Sequence, residues 1–231
     1  MDSDVVALLV SQQLGLLPDG ELALLSSSAT AKRRTDFARG RTTCRRLLQT
    51  THPALVDAVV LRDPTPDQAG RPVVVSGDAP VRSVEVSISH ARDLAAAAAS
   101  MSRVGVDVVE REALGAAFRR QAFGPDEWQS YVTHLPLSTS DDDVDTIAFA
   151  FKEAALKVLG LGLRLSLLHV DIRPLAPLQP HQVLLDEVMH VACDVRFQLE
   201  LRSPQPRSME LEGQLLVVDG CWVAVLRQPT S

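Results

Sequence analysis

Val86-Ser-Ile-Ser-His90 and Val104-Gly-Val-Asp-Val108 decide how the rest of this chain is read. In the first stretch Val84, Val86 and Ile88 alternate with Ser87 and Ser89. That is the period of a β-strand with aliphatic side chains on one face and hydroxyls on the other. The strand ends in a small hydroxyl and an imidazole. The second stretch repeats the alternation, with Val104, Val106 and Val108 on one face and Gly105 and Asp107 on the other. A carboxylate inside an apolar strand costs free energy unless a cation meets it. Asp107 is therefore the first hint of a metal or phosphate site.

Working outward, 231 residues make one large domain or two small ones, enough to bury a real core. An apolar content of 46% and a charged content of 23% are those of an ordinary globular protein. The net charge of −6 argues against general nucleic-acid binding and still leaves room for local basic clusters that hold small anions. Cys44, Cys193 and Cys221 stand far apart with no Cys-x-x-Cys spacing. They read as small apolar residues in a reducing compartment, neither a disulfide set nor a zinc site. The chain does not open on a charged segment followed by an apolar one, and no apolar run reaches bilayer length. The expectation is a cytoplasmic protein with no membrane partner.

Before the first strand, the leucine-rich Met1–Leu25 region predicts a strand or short helix, then a helical start. Ser26-Ser-Ser28 offers N-cap residues for a long helix to about Gln49. On its wheel Phe37, Gly40, Cys44, Leu47 and Leu48 share a face, and Arg34, Arg41 and Arg45 form a stripe along the edge with Arg33 nearer the apolar side. Such a stripe is either a solvated basic face or a phosphate cradle, since guanidinium forks match phosphate oxygens. A strand from Leu55 to Leu61, the turn Gly70-Arg-Pro72 and a short strand at Val73–Val75 lead to the decisive stretch. Leu94–Met101, alanine-rich and lying between two strands, predicts a buried strand.

Beyond Glu110, helices are predicted over Ala113–Ala122 and from Phe123-Gly-Pro-Asp-Glu127, where proline followed by acids is normal N-terminal chemistry. Leu135–Asp145, with its serines and aspartates, predicts a mobile solvated loop. Thr146–Leu159 is the strongest helix, with Ile147, Phe151, Ala154, Ala155 and Val158 as its buried face and Gly160 and Gly162 as its stop. Glu153 and Lys157 lie four apart on another face, the spacing of a surface ion pair worth about 0.3–0.5 kcal/mol. The remainder is β-like: a strand near Leu168–Ile172, a loop from Pro174 to Pro180, a strand at Val191–Leu201, and a hairpin around Asp219-Gly220.

Each mark is commonplace alone; their order and spacing are not. Arg33-x-x-Asp36-Phe37-x-x-Gly40-Arg41, Gly70-Arg-Pro72, Ser87-Ile-Ser-His90, Gly105-Val-Asp-Val108, Phe123-Gly-Pro-Asp-Glu127 and Lys152-Glu-x-x-x-Lys157 follow one another as in a single family. From about Arg33 to Leu163 the chain resembles the 4′-phosphopantetheinyl transferases, in particular the long monomeric surfactin-type and enterobactin-type enzymes.

The resemblance implies an α+β fold of two similar α/β halves related by a pseudo-twofold: 1–103 on the coenzyme A 3′-phosphate and adenine side, 104–231 carrying the metal site and the carrier-protein docking surface. It implies the reaction as well. A serine of an acyl or peptidyl carrier protein attacks the β-phosphate of coenzyme A, the phosphopantetheine arm is transferred, and 3′,5′-ADP leaves. The carriers of such enzymes serve fatty-acid, polyketide or nonribosomal-peptide synthesis. In-line attack on a pyrophosphate needs its charge neutralised and its leaving group stabilised, the work of Mg²⁺, with Mn²⁺ as an alternative ion. By resemblance Asp107 and Glu153 are the metal ligands, Glu153 also takes the serine proton, and Lys157 faces the pyrophosphate. Ser89 and His90 meet coenzyme A phosphates, Arg33 and Arg41 lie near the 3′-phosphate, and Arg71 belongs to the adenine-side loop.

One position departs from the family pattern. Many relatives read Gly-Ile-Asp-Ile-Glu, with Asp and Glu two apart on one face; here Val109 stands at the second place and the acid follows as Glu110. Alternation sends Glu110 to the opposite face unless a bulge intervenes. The direct reading is a site with two protein carboxylates and a water in place of the third. Ala91 stands where a serine often follows the histidine, with little expected consequence. Two functional classes stay open: an active transferase, and a non-catalytic homologue that binds coenzyme A or a carrier protein. Retention of Asp107, Glu153 and Lys157 together favours the first, since a pure binder needs no base beside a metal.

Overall fold

The computed structural model describes residues 6–65, 70–136, 139–161, 165–185, 188–202 and 206–229. Up to residue 103 the chain forms β1 (Ala7–Ser11), a short α1 (Asp19–Leu22), the long α2 (Ala31–Thr51), a small sheet of β2 (Val59–Arg62), β3 (Pro72–Ser76) and β4 (Ala79–Pro80), and the hairpin β5 (Glu85–Ala91) and β6 (Leu94–Ser100). Beyond it come β7 (Val104–Glu110), α3 (Gly115–Ala122), α4 (Pro125–His134), α5 (Asp141–Leu159), β8 (Val170–Pro174), β9 (Gln179–Leu185), β10 (Val188–Leu201), β11 (Arg207–Val218) and β12 (Cys221–Arg227). The class is mixed α+β, as expected.

The strands join antiparallel in the orders β1-β6-β5 and β7-β12-β11-β10-β8, with β9 also on β10. Before and after Val104 the chain thus runs strand, long helix, then a hairpin whose last strand pairs with the first. Three apolar clusters separate four layers. Cys44, Leu47 and Leu48 of α2 meet Val86, Ala97 and Ala99 of the β1-β6-β5 sheet. The opposite face of that sheet, through Leu94, Ala96 and Ala98, meets Val104, Val106, Val108, Val223 and Val225 of the large one. The far face of the large sheet, through Phe197, Leu199, Leu211, Ala224 and Leu226, carries α5 and its neighbours. The rings of Phe151 and Phe197, 4.5 Å apart, sit at the centre of this last cluster.

The alternation read from the sequence holds on both decisive strands. Val86 and Ser87 are both buried because β5 lies between layers, and β6 is buried along its whole length. The Asp219-Gly220 hairpin has both central residues at positive φ (49° and 75°), the geometry of a turn that follows the strand twist. Gly160, at φ 72°, caps α5; Gly162 lies outside the described residues.

Several expectations are corrected. The long helix starts at Ala31, and its cap is Thr30, whose Oγ1 accepts from the Arg33 N–H at 3.2 Å, not Ser26–Ser28. Leu55 closes a 3-10 turn and the strand starts only at Val59. Pro180 lies inside β9; as an edge strand, β9 tolerates a residue without an N–H. The loop expected over Leu135–Asp145 is helix from Asp141 onward, with residues 137–138 outside the described set. Acids that read as solvated in a loop suit the first turn of a helix, where they complement the exposed N–H groups. Asp145 is fully buried, held by both guanidinium arms of Arg119 (2.8 and 3.0 Å) and by the Trp128 indole N–H (2.7 Å). Among the described residues no helix is long and apolar enough to cross a membrane.

Candidate active site

Gly105 explains why a strand and a helix meet closely enough to form a site. A Cβ there would collide with the carbonyl oxygen of Ala154, so β7 and α5 touch backbone to backbone. The close approach brings the α5 side chains at 153 and 157 over Asp107, which points to the same face as Gly105. The Lys157 ammonium donates to Asp107 Oδ1 and to the Val106 carbonyl, each at 2.7 Å. This is the cation that a carboxylate in an apolar strand requires. The i,i+4 pairing with Glu153 expected from spacing yields to this tertiary partner.

β7 is the edge strand of the large sheet, and β5 meets it there. Ser89 Oγ donates to Asp107 Oδ1 at 2.8 Å, and Ser87 Oγ accepts from the Val106 N–H at 3.0 Å. The two hydroxyls of the decisive strand thus tie it to the acidic strand. The sequence reading assigned no role to Ser87, although its place two residues before Ser89 put it on the same face.

Glu153 is 9% exposed, and its Oε1 has no hydrogen-bond partner among the described residues. Burial, and then the negative charge of Asp107, push its carboxyl up to about 7 against the opposing pull of Lys157. Two hard carboxylates close enough to repel, one with an orphaned buried oxygen, fit a hard dication that takes one or two protein carboxylates and fills its shell with phosphate and water. Among the described residues no three His, Cys, Asp or Glu side chains gather into a ligand cluster. Glu110 lies elsewhere. The β7–β12 register runs unbroken from Val104–Arg227 to Glu110–Cys221, without a bulge, and Glu110 pairs with Arg92 at 2.9 Å. Val109 packs toward α5, on the Asp107 face.

A cleft of about 670 Å³ opens beside this centre, lined by Lys32, Arg33, Asp36, Arg41, Arg62 and His90 among others. Gly40 lets α2 come down on β5, since a Cβ there would press on Ile88 at 2.8 Å. Of the arginine stripe, Arg34 turns back onto the carbonyls of Ser27 and Ala29, and Arg45 holds the carbonyl of Leu16. Arg33 and Arg41 line the cleft; Arg41 is 7% exposed, donates to the Val60 carbonyl at 2.6 Å, and has its pKa lowered by burial. Lys32, 2.7 Å from Asp36, and Arg62 were not singled out from sequence. Lys32 shares the helix face of Asp36 by its i,i+4 spacing; Arg62, at the end of a strand, carried no local signal. Arg71 turns away from the cleft that its neighbours Gly70 and Pro72 line, to pair with Glu85 at 2.7 Å.

His90 links cleft and centre. Its Nδ1 is 4.0 Å from Asp36 Oδ2. Burial lowers its pKa against the pull of Asp36, and Lys157, Lys32 and Arg39 are near enough to lower it further. The basic cleft therefore ends within electrostatic reach of the Lys157 that touches Asp107.

No curated protein matches the chain. Residues 103–198 match the family model ACPS, described as the 4′-phosphopantetheinyl transferase superfamily. That stretch includes Asp107, Glu153, Lys157 and the whole of α5, so these three side chains lie in the part of the chain that is similar to the 4′-phosphopantetheinyl transferase superfamily.

Proposed function

We propose that this protein transfers the 4′-phosphopantetheine arm of coenzyme A to a serine of an acyl or peptidyl carrier protein, in an Mg²⁺-dependent reaction that releases 3′,5′-ADP. The observation that carries the reading is the meeting of Asp107, Glu153 and Lys157 at the end of a basic cleft. In this reading Arg33 and Arg41, with Lys32 and Arg62, hold the 3′-phosphate, and His90 and Lys157 take the pyrophosphate. Asp107 and Glu153 hold the dication. Mg²⁺, when bound, neutralises pyrophosphate oxygens and stabilises the departing phosphate.

Glu153 takes the proton of the carrier serine, directly or through water, as the serine oxygen bonds to the β-phosphorus. The bond from that phosphorus to the bridging oxygen breaks, and the oxygen leaves with 3′,5′-ADP. The chain divides near Val104 into a cleft-bearing half and a half bearing the acidic pair and docking the carrier. Both lie in one chain, so a monomer suffices for the site.

Intact-mass spectrometry of apo carrier proteins incubated with this protein, coenzyme A and Mg²⁺ tests the reading. A gain of about 340 Da on the carrier, the mass of the transferred arm, is expected. No gain on fatty-acid, polyketide or peptide carriers, with coenzyme A still bound, would replace it with a binding function.

A further inference from the structure

Lys152 is among the largest side chains with no solvent exposure. Its ammonium lies 2.8 Å from the Glu127 carboxylate, which is 2% exposed, and 2.6 Å from the carbonyl of Ala122. Glu127 also accepts the Ile172 N–H at 3.1 Å and the Gly124 N–H at 3.2 Å. The end of α3, the start of α4, the middle of α5 and β8 all converge on this ion pair. Burial pushes the carboxyl up and the ammonium down, so charge is held here against a cost. An apolar pair of similar volume serves stability as well or better. What the ion pair adds is direction: it fixes the rotation of α5 about its axis.

Rotation matters at this place because the next residue is Glu153. Successive residues of a helix project about 100° apart, so Lys152 anchors one side of α5 while Glu153 and Lys157 face β7. On that side the helix already rests against Gly105, with Ala154 as the contact. We infer that Lys152 and Glu127 are positioning residues, which clamp α5 from behind so that Glu153 and Lys157 reach the Asp107 strand. The inference rests on the proposed transfer reaction for its kinetic consequence, and on geometry alone for its structural one.

The test is the double variant Glu127→Gln, Lys152→Met, which removes both charges and keeps an amide oxygen for the Ile172 N–H. The expected protein melts close to the wild type, yet its crystal structure has the Lys157 ammonium out of hydrogen-bond reach of Asp107. Its kcat for transfer falls about tenfold to a hundredfold, while KM for coenzyme A moves less than about twofold. If the double variant does not fold, Glu127→Gln alone carries the same comparison below its melting temperature. A variant that keeps the Lys157–Asp107 contact overturns the inference. Failure of the wild type to transfer would instead remove the proposed function, and the contact would still decide this question.

Discussion

Lys157 Nζ sits 2.7 Å from Asp107 Oδ1, so the helix cation neutralises the strand carboxylate before any ligand arrives. Replacing it by methionine leaves Asp107 with the Ser89 hydroxyl as its remaining side-chain donor among the described residues. Lys157→Met is expected to lose about 2 kcal/mol in EDTA, the worth of a charged hydrogen bond. Mg²⁺ should restore more stability to the variant than it adds to the wild type, because the ion takes the place of the ammonium. Differential scanning calorimetry with and without Mg²⁺ reads both, and equal stability in EDTA would refute the assignment.

The two acids differ from the third in what they face. Asp107→Asn and Glu153→Gln are each expected to lower transfer at least about a hundredfold, the scale for removing an electrostatic partner of a transition state. Glu110→Gln, whose carboxylate pairs with Arg92 on the opposite face, should be nearly silent. Steady-state release of 3′,5′-ADP makes the comparison. Equal damage from Glu110→Gln would mean that β7 changes register when the ligand binds.

Glu153 also sets a pH dependence in the metal-free protein. Its folded-state value of about 7 lies above the ordinary 4.5, so the native state holds a proton that the unfolded chain has released between these values. Stability from this group is therefore highest below about 4.5, falls as pH rises to about 7, and is flat beyond. Glu153→Gln removes this fall, and at pH 8 in EDTA the variant should be the more stable protein. Urea titrations at a series of pH values would show it; parallel curves for the two proteins would count against the burial of this carboxyl.

His90 has its pKa lowered by burial, with cations on several sides. Phosphate oxygens arriving beside it reverse that field, so coenzyme A binding near about pH 6.5 is expected to take up a proton. Calorimetry in buffers of differing ionisation heat measures the uptake, and His90→Ala should abolish it. Uptake unchanged in the variant would place the phosphates elsewhere.

Gly105→Ala puts a methyl against a backbone carbonyl that has no side-chain freedom to yield. The expected loss is about 1–3 kcal/mol, the range for overpacking, together with lower transfer as α5 is pushed off β7. Chemical denaturation reads the first effect, and a wild-type midpoint would contradict the close approach.

Much of this centre was legible because strands have a period of two. A lone acid among valines made Asp107 visible, and the same alternation sent Glu110 to the far face, where the unbroken register places it. Helix spacing misled at Lys157, whose neighbour in sequence is Glu153 but whose partner in space comes from another element. The acids at Asp141–Asp145 misled for the converse reason. Composition says solvent, while a helix N-terminus and the Arg119–Trp128 clamp say otherwise. Lys152 and Glu127 meet across 25 residues, and Arg71 turns toward Glu85; no local pattern encodes either choice.

The alanines of β6 have a consequence of their own. Ala97 and Ala99 face the α2 side, Ala96 and Ala98 the large sheet, and all four are fully buried or nearly so. The strand is a gauge block: the radius of a methyl group sets the thickness of the interior on both sides. A valine at 96 or 98 would pry the sheets apart and part Ser89 from Asp107, whereas one at 97 or 99 would lift the wall of the basic cleft. Chemistry and ligand capture could thus be lost separately through neighbouring positions of one strand, none of which touches a substrate.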